Sequence, residues 1–341
     1  MNTKTRAVLV GCGGISNAWL TSASKIPAIE IVGLVDINRQ AAVDKKAGYT
    51  LSKAEVGDDL NAMLKLTKPD VVFDCTIPES HMPVTLTALR HGCHVLGEKP
   101  LADSLAHGRI MIAAARRAKR LYAVIQNRRY DLRIRGVQRF INAGRIGRMT
   151  TLFSDFFIGA HFGGFRDRMR HVLLLDMAIH TFDAARFISN ADPVSVYCHE
   201  WNPQGSWYDH HASAVAIFEM TNGIVYTYRG SWCAEGINTS WEGMWRIIGT
   251  KGSATWDGGD SFRSQGVAKK GGFVNQYRDL AIKYPKNGKQ AGHHGVIAEF
   301  IRCVRNGTTP ETICTDNIKS LAMVFAAIES AETGKKVKIR I

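Results

Sequence analysis

Long apolar segments are missing from this chain of 341 residues. A membrane-spanning helix needs about 18 consecutive apolar residues, and no such run occurs, so we expect no transmembrane segment and no membrane partner. The short apolar run from Ala7 to Val10 is also too brief for the core of a secretory signal peptide.

Paired cysteine motifs are missing as well. The seven cysteines are scattered along the chain, no two of them form a CxxC pair, and their odd number argues against a closed disulfide framework. We interpret them as small buried apolar groups in a reducing compartment, and we expect a cytoplasmic protein.

Acidic residues are in deficit. The chain has 30 aspartates and glutamates against 44 lysines and arginines, a formal net charge of +14. Such a surplus can attract nucleic acid or an acidic ligand. Part of it, Arg116 to Arg120, closes a predicted amphipathic helix where cations favour the C-terminal dipole, and the rest follows no known nucleic-acid motif. We therefore expect no nucleic-acid partner.

Buried strands alternate with helices in the first third of the chain. Helix-length segments such as Ser80 to His91 separate strands that are apolar nearly throughout, as is typical of strands buried on both faces of a parallel sheet. These strands are Ala7 to Val10, Ile29 to Val35, Val71 to Thr76, His94 to Gly97 and Tyr122 to Ile125. The pattern predicts the α/β class, with an N-terminal Rossmann domain built on a doubly wound parallel sheet over residues 1–125.

Beyond residue 125 the strands become longer, alternate in polarity and are joined by hairpin turns such as Thr221-Asn222-Gly223. Predicted helices, among them Val172 to Ile188, would cover one face of their sheet. We predict a C-terminal α+β domain over residues 126–341, with a mostly antiparallel open sheet. The segment Gly266 to Asn287, rich in glycine and lysine, is predicted to be a mobile loop.

A glycine-rich turn follows the first strand. In Gly11-Cys12-Gly13-Gly14-Ile15-Ser16 the glycines allow a tight turn and let main-chain N–H groups approach a pyrophosphate at a helix N-terminus. An unrelated βα unit can carry such a turn, but Asp36 ends the next strand, where an acid binds the adenosine ribose. We predict dinucleotide binding by Gly11, Gly13, Gly14, Ile15, Ser16 and Asp36.

The acid also predicts which dinucleotide is bound. Asp36 would repel a ribose 2′-phosphate, which favours NAD over NADP. Arg39 can stack on the adenine or soften that preference, although it can equally be a solvated cation at a helix start. We predict NAD as the cofactor and leave NADP open.

Polar side chains follow two further strands of the first domain. Ligands of open α/β sheets bind beyond the carboxyl ends of the strands. The prediction for the cofactor site therefore also includes Thr76, Pro78, His81, Glu98, Lys99 and, after the last strand, Asn127.

The segment His171 to Phe187 is apolar around most of a predicted helix, yet Asp176, His180 and Asp183 recur on one face. Ionisable groups are costly to bury unless they are paired or face a cavity. Either Asp176 and His180 satisfy each other, or this face lines a pocket, where an acid and a base suit proton transfer.

Taken together, these motifs resemble the glucose-fructose oxidoreductase and inositol dehydrogenase family (Gfo/Idh/MocA) over nearly the whole chain. The resemblance rests on the glycine turn, Asp36, Thr76-Ile77-Pro78 with His81, Glu98-Lys99-Pro100, Asn127-Arg128-Arg129, Gly144-Arg145-Ile146-Gly147, Asp176 with His180 and Asp183, and Glu329-Ser330-Ala331. It implies that Lys99 and His180 flank the reacting carbon and that Asp176 orients or assists. It also implies that residues 126–341 are a domain for substrate binding and oligomerisation, whose open sheet forms a homodimer or homotetramer.

The implied activity is hydride transfer between nicotinamide and a carbinol of a sugar, polyol or sugar acid. His180 would be the general base, Lys99 the cation that stabilises the developing alkoxide, and Asp176 the partner that fixes the histidine tautomer. Whether Lys99 or His180 takes the proton stays open. Two alternatives also stay open: a redox-neutral, NAD-dependent glycoside-cleaving enzyme that oxidises the sugar transiently, and a non-catalytic NAD-binding sensor.

Arginines surround the predicted catalytic residues in sequence. Guanidinium groups can fork onto carboxylate or phosphate oxygens, so we predict an anionic or oxygen-rich substrate. The predicted substrate site comprises Arg128, Arg129, Arg166, Arg168, Asp176, His180 and His294. The arginines can instead pair with Asp131, Asp155 and Asp167. The pairs His210-His211 and His293-His294 lack a carboxylate at ligand spacing, so we predict no metal.

Overall fold

The computed structural model of the chain describes residues 4–285 and 291–341. These residues form two compact units. The first comprises the described parts of Met1–Tyr130 and Lys289–Leu321, and the second comprises those of Asp131–Gly288 and Ala322–Ile341. A late segment of the chain thus packs with the N-terminal part, a long-range contact that local patterns do not reveal. The predicted boundary between residues 125 and 126 stays a prediction.

The first unit contains a parallel sheet, as the sequence predicted. Its strands lie in the order β3-β2-β1-β4-β5-β6. They are β1 (Thr5–Val10), β2 (Ile29–Val35), β3 (Glu55–Gly57), β4 (Val71–Asp74), β5 (His94–Gly97) and β6 (Tyr122–Val124). The short β3 was not predicted because none of its three residues is buried, which leaves no run of buried apolar positions to detect.

Helices follow most of these strands. They are α1 (Ser16–Ala23), α2 (Arg39–Gly48), α3 (Leu60–Thr67), α4 (Pro78–Arg90), α5 (Leu105–Ala118) and, from the late segment, α8 (Gly292–Asn306). Side chains of Asn38, Asp59 and Ser104 accept hydrogen bonds from main-chain N–H groups at the starts of α2, α3 and α5. The residues next to each start therefore determine where these helices begin. Trp19 of α1 and Phe300 of α8 share one core cluster.

Strand order reverses between β1 and β4. The chain winds from β1 outward to β3, then returns to place β4 on the other side of β1. In open α/β sheets a crevice opens at this reversal, beyond the carboxyl ends of the strands. The crevice therefore lies beyond Val10 and Asp74, where the glycine turn and Thr76 follow.

The second unit contains a mostly antiparallel sheet in the order β14-β13-β12-β11-β7-β10-β9-β8-β15. Only the β10 to β7 pairing is parallel among the described strand pairs of this sheet. The strands are β7 (Met149–Phe157), β8 (Pro193–Trp201), β9 (Ser213–Met220), β10 (Val225–Ser231), β11 (Met244–Gly249), β12 (Gly252–Trp256), β13 (Phe262–Lys269), β14 (Gln276–Asp279) and β15 (Val337–Lys338).

Helix α7 (Ile179–Ser189) packs on one face of this sheet. The ring of Phe182 lies 4.8 Å from Phe218 and 5.2 Å from Tyr228, measured between ring centres. The remaining helices with residues in this unit are α6 (Leu132–Asn142) and α9 (Cys314–Thr333), whose residues are divided between the units. The opposite face of the sheet exposes apolar side chains, including Phe153, Tyr197 and Ile217.

Two sequence predictions are wrong in detail. The proposed mobile loop Gly266 to Asn287 contains the end of β13 and all of β14, which pair with each other; its glycines and lysines suit an exposed edge hairpin as well as a loop. Residues 286 and 287 lie outside the described part. The predicted helix from Val172 begins instead with a π-helical turn, Leu173–Ala178, and becomes α-helical only at Ile179.

Candidate active site

The glycine turn lies at the crevice of the parallel sheet. Gly11 has φ +88°, and a Cβ there would lie 2.7 Å from the main-chain carbon of Cys75, so this position requires glycine. A Cβ on Gly13 or Gly14 would meet no described atom within 4 Å. The main chain at these two glycines therefore faces open space, which a diphosphate can approach closely.

Ser16, which replaces the usual third small residue, is fully buried and begins α1. Its Oγ donates to the Gly13 carbonyl oxygen at 2.6 Å. This buried hydrogen bond stabilises the turn between Gly13 and the start of α1. Ile15, one residue earlier, is partly exposed at the N-terminus of the helix.

Asp36 follows β2 and is held by the main chain. Its Oδ2 accepts the N–H of Cys12 at 2.6 Å, and its Oδ1 accepts the N–H of Asn38 at 2.8 Å. The carboxylate is thereby fixed beside the glycine turn, as a ribose-binding acid requires. Arg39 is the exposed first residue of α2.

At the end of β4, Thr76 donates through its main-chain N–H and its hydroxyl to the buried Asp74. Burial raises the pKa of Asp74, against the opposing effects of His81 and Thr76. His81 is buried, with its ring between the carbonyl oxygens of Pro100 and Thr76 at 2.9 and 3.1 Å. It thus ties the loop after β4 to the loop after β5. Pro78 is the first residue of α4.

At the end of β5, Glu98 is 6% exposed. Its Oε1 accepts the indole N–H of Trp19 at 2.7 Å, and its Oε2 accepts the main-chain N–H of Lys99 at 3.1 Å. Burial acts to raise the pKa of Glu98, but polar contacts with His293 and Trp19, together with the charge of Lys99, outweigh burial and lower the pKa. A buried anion therefore lies next to Lys99 in the chain.

The 3-10 turn Asn127–Tyr130 follows β6. Asn127 contacts His293 of α8, with 3.3 Å between Nδ2 and Nδ1. Arg129 is buried and donates to Asp316 at 3.1 Å, so it ties this turn to the start of α9. Arg129 therefore pairs with an aspartate, the alternative to substrate binding, but the partner is Asp316, which the sequence did not predict. Arg128 is partly exposed.

In the second unit, Asp176 lies in the π-helical turn and His180 in the first turn of α7. The α-helical spacing used to place them on one face does not apply across a π-helical turn, in which hydrogen bonds span five residues. Such turns often occur at functional sites. Asp183 is buried and lies 3.8 Å from Arg186, an intrahelical ion pair.

Arg166 contacts Asp176 directly. Its Nε donates to Oδ2 at 2.9 Å, and its guanidinium lies 5.0 and 4.8 Å from the ring centres of Phe162 and Phe165. Ion pairing and cation–π contact together hold this arginine on the candidate catalytic carboxylate. Arg168, two residues later, is exposed.

A histidine and carboxylate cluster that sequence reasoning missed precedes the π-helical turn. His171 Nδ1 lies 2.6 Å from Glu200, and Nε2 lies 3.4 Å from Glu332. The contact with Glu200 raises the pKa of His171 against the effect of burial. The cluster lines a cavity of about 220 Å³ with His210 and His211. Its members lie far apart in the chain, so no local motif marks them.

Both halves of the chain match models of one known family. Residues 5–126 match a family model described as "Oxidoreductase family, NAD-binding Rossmann fold", and residues 134–255 match the "GFO/IDH/MocA C-terminal domain". The chain belongs to the Gfo/Idh/MocA family. It is an oxidoreductase with an NAD-binding Rossmann domain, which confirms the predicted family, fold class and cofactor.

Curated relatives of this Gfo/Idh/MocA protein span its length. It is 24% identical to 1,5-anhydro-D-fructose reductase of Ensifer adhaerens, which covers 97% of both chains. It is 25% identical to D-apiose dehydrogenase of Paraburkholderia graminis over 98% of this chain and 90% of the relative. The crystal structure of an oxidoreductase from Agrobacterium radiobacter in complex with NAD+, L-tartaric acid and magnesium has a TM-score of 0.85 at 20% identity, covering 99% of both chains. At that identity the structural likeness shows the fold.

The residues of the first unit fit NAD. The open main chain at Gly13 and Gly14 suits the diphosphate, and the fixed carboxylate of Asp36 suits the adenosine ribose.

No group of three or more His, Cys, Asp or Glu side chains in the described residues is arranged to hold a metal ion. The helices described between residues 4 and 341 include none long and apolar enough to cross a membrane.

Trp19 and His293 are the contacts of Glu98 that sequence reasoning did not assign. Trp19 looks like any apolar residue of an amphipathic helix, and its indole N–H becomes informative only when a buried acceptor is known. Of the pair His293-His294, the sequence predicts only His294 for the substrate site. His294 also lies in α8, in the first unit, and its role stays a prediction.

Proposed function

We propose that this protein is an NAD-dependent dehydrogenase that interconverts a carbinol and a carbonyl in a sugar, polyol or sugar acid. The observation that supports it most is Lys99 beside the buried, ionised Glu98, at the same sheet edge as the glycine turn. The names of the two curated relatives, a reductase and a dehydrogenase of sugar-type compounds, favour the same substrate class.

The proposed roles follow from the chemistry of each side chain. When bound, the nicotinamide accepts or returns the hydride. His180 takes the proton of the reacting hydroxyl in oxidation and returns it in reduction. Lys99 donates to the same oxygen and stabilises its developing negative charge. Asp176 fixes the histidine tautomer, and Arg166, through its bond to Asp176, holds that carboxylate in place.

The contacts of the arginines indicate which of them are better candidates to bind the substrate. Arg129 is engaged by Asp316 and Arg166 by Asp176, which favours positioning roles for these two. The exposed Arg168 is the stronger candidate to bind an anionic or oxygen-rich substrate, and Arg128 keeps its proposed place in the substrate site.

We further propose that the protein is a homodimer or homotetramer that uses the open face of its second sheet. One cross-strand row on this face contains Tyr197, Ile217, Thr227 and Phe153. Tyr197 and Ile217 are each 46% exposed. Contiguous exposed apolar patches on proteins mark interaction sites, and a two-fold axis brings the same face of two copies together.

The test is NADH formation or consumption by the purified protein with a panel of sugars, polyols and their uronic acids, after the bound cofactor has been measured. We expect NAD-linked turnover with at least one member and a preference for the acid over its neutral parent. Cleavage of a glycoside without net NADH would replace the dehydrogenase by the redox-neutral alternative. NAD binding without turnover on any substrate would instead favour the sensor.

A further inference from the structure

His293 lies in the first turn of α8, nearly 200 residues after Glu98 in the chain. Helix α8 packs against α1 and against the 3-10 turn Asn127–Tyr130, all within the first unit. This packing brings His293 to residues of the predicted cofactor site. No motif of the family resemblance includes it.

The ring of His293 bridges two of those residues. Its Nδ1 lies 3.3 Å from Nδ2 of Asn127, and its Nε2 lies 3.9 Å from Oε1 of Glu98. An amide nitrogen only donates, so with this amide orientation Nδ1 accepts and the ring proton of a neutral histidine sits on Nε2. That proton lies on the side of the Glu98 carboxylate.

The charge of the Glu98 carboxylate depends on hydrogen-bond donors and cations around it. It is buried, and the same Oε1 that His293 approaches accepts the indole N–H of Trp19 at 2.7 Å. Among the described residues, the charged or titratable groups that act on the Glu98 carboxylate come from three places: Lys99 after β5, Asp74 and Cys75 at the end of β4, and His293 on α8. Of these, only Lys99 and His293 favour the anion.

We propose that His293 is a positioning residue for the reaction: it braces Glu98 and Asn127 together and thereby keeps the anion beside Lys99 charged and in place. The proposal rests on the function proposed above. His293 acts through Glu98, whose carboxylate orients the loop that carries Lys99 through its bond to the Lys99 main-chain N–H.

The first readout needs neither NAD nor substrate. Glutamate labelled with 13C at the carboxyl carbon would be introduced into wild type and into the His293→Phe, His293→Ala and His293→Gln variants, and the Glu98 signal would be assigned with Glu98→Gln. We expect Glu98 to titrate at higher pH in the Phe and Ala variants. Gln can donate to Glu98 and accept from Asn127, so it should restore the wild-type titration.

The second readout is steady-state kinetics over a range of pH. We expect kcat to fall about tenfold in the Phe and Ala variants, with a smaller change in substrate KM and an acidic limb displaced to higher pH. Gln should recover most of kcat. The matched control is His91→Phe, a histidine on the same unit that bonds to Asn61, which should behave as wild type.

The outcomes separate this proposal from the proposed function. A Glu98 titration in His293→Phe and His293→Ala that overlays wild type overturns the role of His293, whatever the activity. Loss of kcat in Gln equal to that in Phe, without a changed pH profile, also overturns it. If wild type itself turns over no substrate, the proposed function fails, and the Glu98 titration alone decides whether His293 controls this carboxylate.

Discussion

At the scale of single residues, Asp36 is held in place by the main chain of its own unit. Its carboxylate Oδ2 accepts the main-chain N–H of Cys12, after β1, and its Oδ1 accepts the main-chain N–H of Asn38, after β2. A group fixed in this way loses little freedom when a ligand binds. The same fixed negative charge would repel the ribose 2′-phosphate of NADP.

Asp36→Ala should therefore weaken NAD binding by about tenfold or more while reducing the discrimination against NADP. Isothermal titration calorimetry with both dinucleotides measures this. Asp44→Ala serves as the control, because this acid lies on the neighbouring helix and its carboxylate accepts from the Gln40 side chain. Unchanged NAD affinity in Asp36→Ala, or tighter NADP than NAD binding by wild type, would refute the assignment.

Lys99 and His180 carry the proposed chemistry. Lys99→Ala and His180→Ala should each lower kcat by about 100-fold or more, because each removes a group that stabilises charge or moves a proton in the transition state. NAD affinity and melting temperature should stay close to wild type. Lys53→Ala, an exposed lysine on the same unit as Lys99, is the control. Near-normal turnover in either variant would leave that residue a structural role only.

At the scale of elements, the turn between β1 and α1 separates two uses of glycine. Gly11 is required by the fold, since its φ is +88° and a Cβ would press on the main chain of Cys75. Gly13 has open space around its missing Cβ. Its value is the close approach that it gives to a ligand.

Matched substitutions can distinguish these uses. Gly11→Ala should lower the free energy of unfolding by about 2 kcal/mol or more, because it combines strain with a main-chain clash. Gly13→Ala should change it by less than about 0.5 kcal/mol yet weaken NAD binding. Urea unfolding and calorimetry measure the two effects. Equal stability losses in the two variants would contradict the distinction.

His171 links the start of the π-helical turn to β8 and to α9. Its φ is +52°, a conformation that non-glycine residues seldom adopt, and contacts with Glu200 and Glu332 hold its ring. Because the pKa of His171 is raised in the folded state, the protonated form stabilises the fold. That stabilisation is complete below the unfolded-state pKa of about 6.5 and is lost as pH rises through the folded-state pKa.

The difference in unfolding free energy between wild type and His171→Gln should therefore be largest at mildly acidic pH and shrink towards alkaline pH. Gln keeps one hydrogen bond but cannot be charged, so the pH dependence isolates the titration. Urea unfolding at several pH values gives this difference. A gap that is constant with pH, or that widens as pH rises, would be inconsistent with a protonated His171.

At the scale of the whole molecule, the open face of the second sheet exposes apolar side chains and is the surface that we propose a second copy of the chain covers. Phe153 lies in its central strand. Phe153→Lys should lower the association state measured by light scattering, since a charge replaces an apolar contact at the proposed interface. Phe273→Lys makes the same substitution at a fully exposed residue of the β13 to β14 hairpin and should leave the association state unchanged. Identical masses for all three proteins would count against this face.

The sequence by itself determined the parts that depend on neighbours in the chain. The short apolar runs between helix-length segments predicted the parallel strands. The spacing of the glycines and the position of Asp36 predicted the dinucleotide turn, and local motifs carried the family resemblance. These features follow from strand burial, backbone freedom and charge, which act over a few residues.

Only the tertiary structure decided which distant groups meet. Helix α8 joins the first unit and brings His293 to Glu98, Arg166 bonds to Asp176, and His171 meets Glu200 and Glu332. The π-helical turn at Asp176 also escaped an argument based on α-helical spacing. The contacts of His293 and His171 depend on packing between segments far apart in the chain, and the partner of a buried polar group cannot be recognised until that packing exists.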